Sequence, residues 1–196
     1  MDDSPGIQIP VAVSAHHVHL CQRTIDALFG PGYRLHPQHR LSQRRQYAAH
    51  ETISLVGPRG RIPYVRILGP PRAEDQIEVS RTDAMALGLD APLRLSGNLT
   101  DTPGVLLEAP KGRVMLRKGV VRALRHIHMS PAEAERLGVR DRDLVRVSVE
   151  GGGRDVIFCD VLVRVAAGFR LELHLDTDEG NAAGVEPGTR AKLLRP

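Results

Sequence analysis

The sequence predicts a mainly β protein with short helices, arranged as two small β-barrel domains capped by those helices. Short strand-like runs separated by Gly and Pro recur along all 196 residues and are joined by only three short helical patterns, which favours barrels over a doubly wound sheet. Aromatic residues make up 3% of the chain with no Trp, while hydrophobic residues reach 41%, so the core has to be built from Val, Leu, Ile and Ala. A strand, short helix, strand unit also occurs twice. Ser80 opens one copy and Ser130 the other; each helix ends in Leu-Gly, at Leu87-Gly88 and Leu137-Gly138. Ser130 and Glu133 have capping-box spacing, and both glycines sit where a left-handed C′ residue belongs. The repetition predicts two related small domains.

The elements follow from local pattern. Residues 7–14 alternate and are β-branched, which makes a strand running on toward His17. Residues 21–29 place Thr24, Ile25 and Leu28 at helical spacing, and Gly30-Pro31-Gly32 stops that helix. Residues 35–46 are polar and arginine-rich and read as a loop. Strands at 51–56 and 61–68 flank the turn Gly57-Pro58-Arg59-Gly60 and form a hairpin. Gly69-Pro70-Pro71-Arg72 breaks the chain before a strand at 76–80. The two repeat helices lead into strands at 93–95 and 143–147. Further strands are expected at 114–121, 155–165, 170–175 and 191–194.

Composition narrows the function. The net charge of +4 and pI near 9.5 come mostly from arginines spread along the chain, which suits a small anionic ligand better than a long polyanion. Scarce aromatics argue against the stacking platforms of single-stranded nucleic-acid binders. Cys21 and Cys159 lie far apart without metal-ribbon or redox spacing, so neither a disulfide framework nor a thiolate cluster is expected, and a reducing cytoplasm is. Neither a signal peptide nor an apolar run of membrane-spanning length is present, so no membrane contact is expected. Gly-rich phosphate loops of the dinucleotide and nucleotide types are missing, which leaves side chains and local turns to bind anions.

The chemistry lies in two short words, His17-Val-His19 and His126-Ile-His128. Residues i and i+2 share one face of a strand but diverge by roughly 200° in a helix, so each word on extended backbone is a bidentate metal clip. The alternative is ordinary strand histidines paired with buried carboxylates. In residues 171–176 the leucines face one way, so Glu172, His174 and Asp176 share the other face and offer a third imidazole. Glu78 interrupts an apolar strand; it needs a partner or a metal if buried, and faces water if on an edge. His16, His36, His39 and His50 lie in polar surroundings and read as surface residues. Residues 176–181 lack the spacing of a calcium loop and read as a turn or ligand-binding loop. Cys159 sits in an apolar strand and Cys21 at a helix start, which makes both poor nucleophile candidates.

With these words in place, the chain resembles the PduL-type phosphate acyltransferases, the phosphotransacylase or phosphate propanoyltransferase family. The resemblance is carried by Val13-Ser14-Ala15-His16-His17-Val18-His19-Leu20, Leu41-Ser42-Gln43, residues 51–58, 65–72 and 78–84, Arg125-His126-Ile127-His128-Met129, and residues 175–184. It implies a dinuclear metal site, usually zinc, between two barrels, and a homodimer. The implied domains are discontinuous: residues 1–15 with 124–196, and residues 16–123. By matching motif, His17, His19 and Glu78 would hold the metal that also meets the coenzyme A sulfur, and His126, His128 and His174 would hold the second. Arg72 would bind phosphate. Val13, Ser14, Ala15, Arg59, Arg66 and Asn181 would contact coenzyme A. His16 departs from the family pattern, which often has Arg or Asn there. The short leader leaves little room for a microcompartment-targeting extension, so a free cytoplasmic enzyme without shell association is expected.

The expected activity is reversible transfer of an acetyl or propanoyl group between coenzyme A and orthophosphate. Direct, metal-assisted transfer in a ternary complex fits the lack of an activated Ser or Cys. A metal-dependent thioester hydrolase and a metal-storage or regulatory module are the alternatives. Phosphate dependence separates the first, and absence of thiol release the second.

Overall fold

A computed structural model describes residues 7–150 and 153–194. In chain order the first elements are β1 (Gln8–Ser14), β2 (His17–His19), α1 (Gln22–Phe29), β3 (Pro37–Arg40), β4 (Tyr47–Val56), β5 (Arg61–Gly69), β6 (Gln76–Glu78), α2 (Arg81–Leu87) and β7 (Leu93–Arg94). There follow β8 (Leu106–Ala109), β9 (Gly112–Met115), β10 (Val120–Ala123), β11 (His126–Met129), α3 (Pro131–Leu137) and β12 (Leu144–Val149). The last are β13 (Val156–Val165), β14 (Glu172–Asp176), α4 (Thr177–Ala182) and β15 (Arg190–Leu194). They fall into two compact units, one combining the chain up to Ser14 with the chain from Leu124, the other spanning Ala15–Ala123.

The first unit is a closed barrel in the order β1-β14-β11-β13-β12-β15, sealed by the antiparallel β1–β15 pair with Ile9 opposite Ala191. Closure leaves no barrel edge. Its core is aliphatic as composition demands: Ile9, Ile127, Val147, Val161, Val163 and Leu173 are fully buried, and Phe158 is the aromatic of the buried cluster. Along β14 the alternation is plain. Leu173 and Leu175 enter the core, and His174 takes the opposite face, partly exposed.

The second unit is a nine-stranded sheet in the order β7-β10-β6-β2-β5-β4-β8-β9, with β3 on β4. The expected second barrel is here an open ladder. One end is the two-residue β7, and at the other α1 rests on β9 so closely that a Cβ on Gly112 would stand 2.2 Å from the carbonyl oxygen of Ala27. Its core gathers Val18, Leu20, Ile25, Leu28, Ile53, Leu55, Ile67, Ile77 and Leu107.

Several local expectations change. The arginine-rich stretch contains β3, an exposed strand that pairs with β4 and so escapes a hydrophobic pattern. The single strand expected over 114–121 is two, β9 and β10, because Gly119 takes φ +122° and turns the chain. The stretch expected as a turn or ligand-binding loop leads into a fourth helix, α4: its N-cap Asp176 accepts from the Glu179 N–H at 2.8 Å and the Glu179 carboxylate accepts from the Asp176 N–H, a capping box hidden by the glycine at 180. The helices after Ser80 and Ser130 do share their capping boxes and left-handed Gly88 and Gly138. Each lies between two strands as the repeat predicts, α2 between β6 and β7 and α3 between β11 and β12.

Candidate metal centres

The three residues of β2 are all buried, Val18 in the core and the imidazoles of His17 and His19 together on the opposite face. Antiparallel pairing with β6 sets Glu78 opposite His17 and Gln76 opposite His19. Glu78 is therefore no water-facing edge residue. Its side chain is 12% exposed, with one carboxylate oxygen 3.6 Å from His17 Nε2 and the other 3.9 Å from His19 Nε2. One candidate ligand atom from each of the three residues lies within 4.8 Å of the others.

Protonation is arranged for ligation. The Nδ1–H of His17 donates to the Ala15 carbonyl at 2.9 Å, because that carbonyl can only accept, and this turns the Nε2 lone pair toward the cluster. Burial, aided by the neighbouring His17 and Arg72, pushes the His19 pKa down to about 3, so the ring is neutral at pH 7. Around the carboxylate stands a support that sequence reading did not identify. Gln76, 2% exposed, and the Ser96 hydroxyl both donate to Glu78 Oε1, while the Gln76 carbonyl oxygen accepts from the Gly97 N–H at 2.8 Å. The signal was the i, i+2 spacing of Gln76 and Glu78 on one strand face.

The second cluster repeats the scheme. β11 pairs antiparallel with β14, placing His174 opposite His126, and the two rings stack 4.9 Å apart at 4°. His126 Nδ1–H donates to the Leu124 carbonyl at 2.8 Å, again two residues back. Both ring nitrogens of His128, and Nε2 of His174, are buried without a hydrogen-bond partner. Orphaned buried polar atoms are costly, and a cation here would take the one lone pair that a neutral His128 ring offers together with that of His174 Nε2. Burial, with His126, His174 and Arg164 adding positive charge, lowers the His128 pKa to about 2. His126, His128 and His174 also meet the 4.8 Å criterion. Imidazole and carboxylate donors, three to a cluster, suit a divalent ion such as zinc with a position left for substrate.

Arg72 follows the Gly-Pro-Pro turn, and its backbone N–H donates to Leu20, the residue after the first histidine word, at 2.9 Å. It lines a cavity of about 210 Å³ together with His19, Arg44, Arg45, Gln46 and the turn itself. Arg44 and Arg45 lie in the stretch that the sequence predicts as a polar loop, and their clustering just before β4 is the one local signal of this wall. In the barrel unit, Val13 and Ser14 pair with Leu175 and Asp176, and Gly180 packs so closely that a Cβ there would lie 2.6 Å from Val13, which brings Asn181 of α4 to the same end of β1. Arg66 lies opposite His17 across the parallel β2–β5 ladder and donates to the carbonyls of Ala49 and His50. Ala15 supplies the carbonyl that holds His17. Arg59 lines a cavity of about 300 Å³ with Arg81 and Arg122.

Of the remaining histidines, His39 and His50 are exposed, and His36 is exposed and paired with Glu51. His16 is half-buried rather than a surface residue, because its Nδ1 meets Asp83 at 3.2 Å. The Cys21 thiol and backbone N–H both engage Asp75, which also accepts from the Thr24 hydroxyl. Cys159 is exposed. Among the described residues, no helix is long and apolar enough to cross a membrane.

Two β units thus each present a His-x-His word and a third candidate ligand from the antiparallel neighbour, one of them beside an arginine-walled cavity of a kind suited to an anion. Residues 10–186 match the family model described as phosphate propanoyltransferase. The chain is 53% identical over 184 residues to the phosphate propanoyltransferase of Thermotoga maritima, covering 94% of this chain and 87% of the relative. It is 47% identical to that of Salmonella typhimurium, over 100% of this chain and 93% of the relative, and 50% identical to that of Shewanella putrefaciens, over 95% and 88%. The chain belongs to the phosphate propanoyltransferase family, and it is a phosphate acyltransferase.

Proposed function

We propose that this enzyme moves a short acyl group, acetyl or propanoyl, reversibly between coenzyme A and orthophosphate, by direct attack of phosphate on the thioester in a ternary complex. The observation that carries this reading is the cavity whose wall is shared by His19 of the first cluster and by Arg44, Arg45 and Arg72. Guanidinium groups grip phosphate through paired charge-assisted hydrogen bonds, and Arg72 stands on a turn anchored to Leu20. Phosphate held there is oriented rather than merely concentrated.

In the forward direction a phosphate oxygen bonds to the acyl carbon, the carbon–sulfur bond breaks, and the electron pair leaves on sulfur. The phosphate proton ends on the thiol or in solvent. No acyl-enzyme is needed. Divalent cations, zinc by the donor set, would be held by His17, His19 and Glu78 and by His126, His128 and His174, and would supply Lewis-acid stabilisation of developing negative charge. The chain's own contribution is neutral imidazoles ready to ligate and a carboxylate steadied by Gln76 and Ser96. Val13, Ser14, Ala15, Arg59, Arg66 and Asn181 are the residues assigned to coenzyme A. A cytoplasmic homodimer is the setting that the family resemblance supports.

The test is thiol release from acetyl- and propanoyl-coenzyme A with and without phosphate and chelator. Release that requires both phosphate and metal, with acyl phosphate as product, is expected. Arg72→Ala should lose at least ~100-fold in turnover, the scale of one lost electrostatic donor, with metal content unchanged. Phosphate-independent release of free acid would instead establish a hydrolase, and undiminished phosphorolysis by the variant would overturn the role of Arg72.

A further inference from the structure

We propose that Glu172 is the anionic member of the second metal centre, as Glu78 is of the first. The proposal rests on reading the three histidines of that centre as metal ligands, and begins from register. Opposite the first histidine of each word stand Glu78 and His174; opposite the second stand Gln76 and Glu172. The carboxylate has exchanged places between the two ladders. Each set of four therefore keeps the two imidazoles of its word and one carboxylate. Without Glu172 the second centre would set only neutral imidazoles against a dication, in a buried place where an uncompensated charge is expensive.

Contact geometry supports the same assignment. The Glu172 side chain is 12% exposed, and its Oε2 lies 3.0 Å from Nε2 of His174. That nitrogen nevertheless makes no hydrogen bond. The carboxylate oxygen therefore sits off that nitrogen's bonding direction, beside the cluster but not hydrogen-bonded to it. Strand alternation delivers both groups, since Glu172 and His174 flank the core residue Leu173 and point to the same face of β14.

Glu172→Gln keeps the volume and removes the charge. In chelator competition on the full-length protein loaded with zinc or cobalt, one bound equivalent should weaken by ~10–100-fold while the other keeps its affinity. The cobalt absorption spectrum of the affected equivalent should change. Glu172→Asp, which restores the charge, should recover part of the affinity, a rescue that a purely structural role would not produce. Asp176→Asn, on the same strand face, should leave metal affinity unchanged. The double variant His126→Ala/His174→Ala should lose the same equivalent outright. If it does and Glu172→Gln binds both equivalents with wild-type affinity, the metal reading stands and the assignment of Glu172 is overturned. If the histidine variant still binds two equivalents, both fall together.

Discussion

Stripping the metal and lowering the pH should destabilise each unit through one buried imidazole. His19 and His128 are 4% and 7% exposed, and burial foremost lowers their pKa values to about 3 and about 2. In the unfolded chain each returns to about 6.5 and takes up a proton as the pH falls, while the folded protein does not. Their stabilising contribution is therefore complete above pH 6.5 and drains away below it, down to the folded values. Between pH 7.5 and pH 5 an unfolded histidine gains nearly one proton, which at about 1.4 kcal/mol per pH unit comes to about 2 kcal/mol for each residue. Because the two histidines lie in different units, each unit loses about that amount, a drop of roughly 10 °C in its melting temperature. His16 works the other way. Its hydrogen bond to Asp83 raises its pKa, so its contribution is complete below pH 6.5 and lost as the pH rises, which softens the acid loss in the sheet unit. Calorimetry of chelator-treated protein from pH 7.5 to 5 measures the effect, with His128→Gln expected to flatten the dependence in the barrel unit. A melting temperature unchanged over that range would refute the claim that these rings are buried neutral.

Two further consequences are open to direct measurement. Gln76→Leu removes the buried amide that orients Glu78, so zinc at the first centre should bind ~10–100-fold more weakly with the second equivalent intact; equal affinity for both equivalents in a competition titration would show that the amide does not position the ligand. Gly112→Ala drives a methyl group against the Ala27 carbonyl and should cost about 1–3 kcal/mol by lifting α1 from β9, read as a lower urea midpoint, and an unchanged midpoint would refute that close approach.

Much of the site was legible because its signals are local. A two-residue spacing on extended backbone was enough to place His17 beside His19 and His126 beside His128, and leucine alternation put His174 on the face away from the core. Spacing alone sets Gln76 on the strand face of Glu78, but its role and that of Ser96 were not legible, since they arise only when the strand pairs with β2 and a distant loop closes over it. Arg44 and Arg45 were hidden in the same way: a basic loop has no address until the fold gives it one. The helix at 177–182 was missed because its glycine masked a capping box that Asp176 and Glu179 in fact complete.

By itself the sequence determined the aliphatic, strand-rich character of the chain, the helix caps at Ser80 and Ser130, and the two histidine clips, all of which depend on neighbours a few residues apart. Only the tertiary structure decided that one unit closes into a barrel while the other remains an open sheet, that Glu78 faces His17, and that Gln76 and Glu172 occupy matching positions beside unlike partners. The physical reason is that strand pairing is a long-range choice. Period-two alternation tells which face a side chain takes, but the register that sets one strand's residues against another's is settled by the packing of the whole sheet.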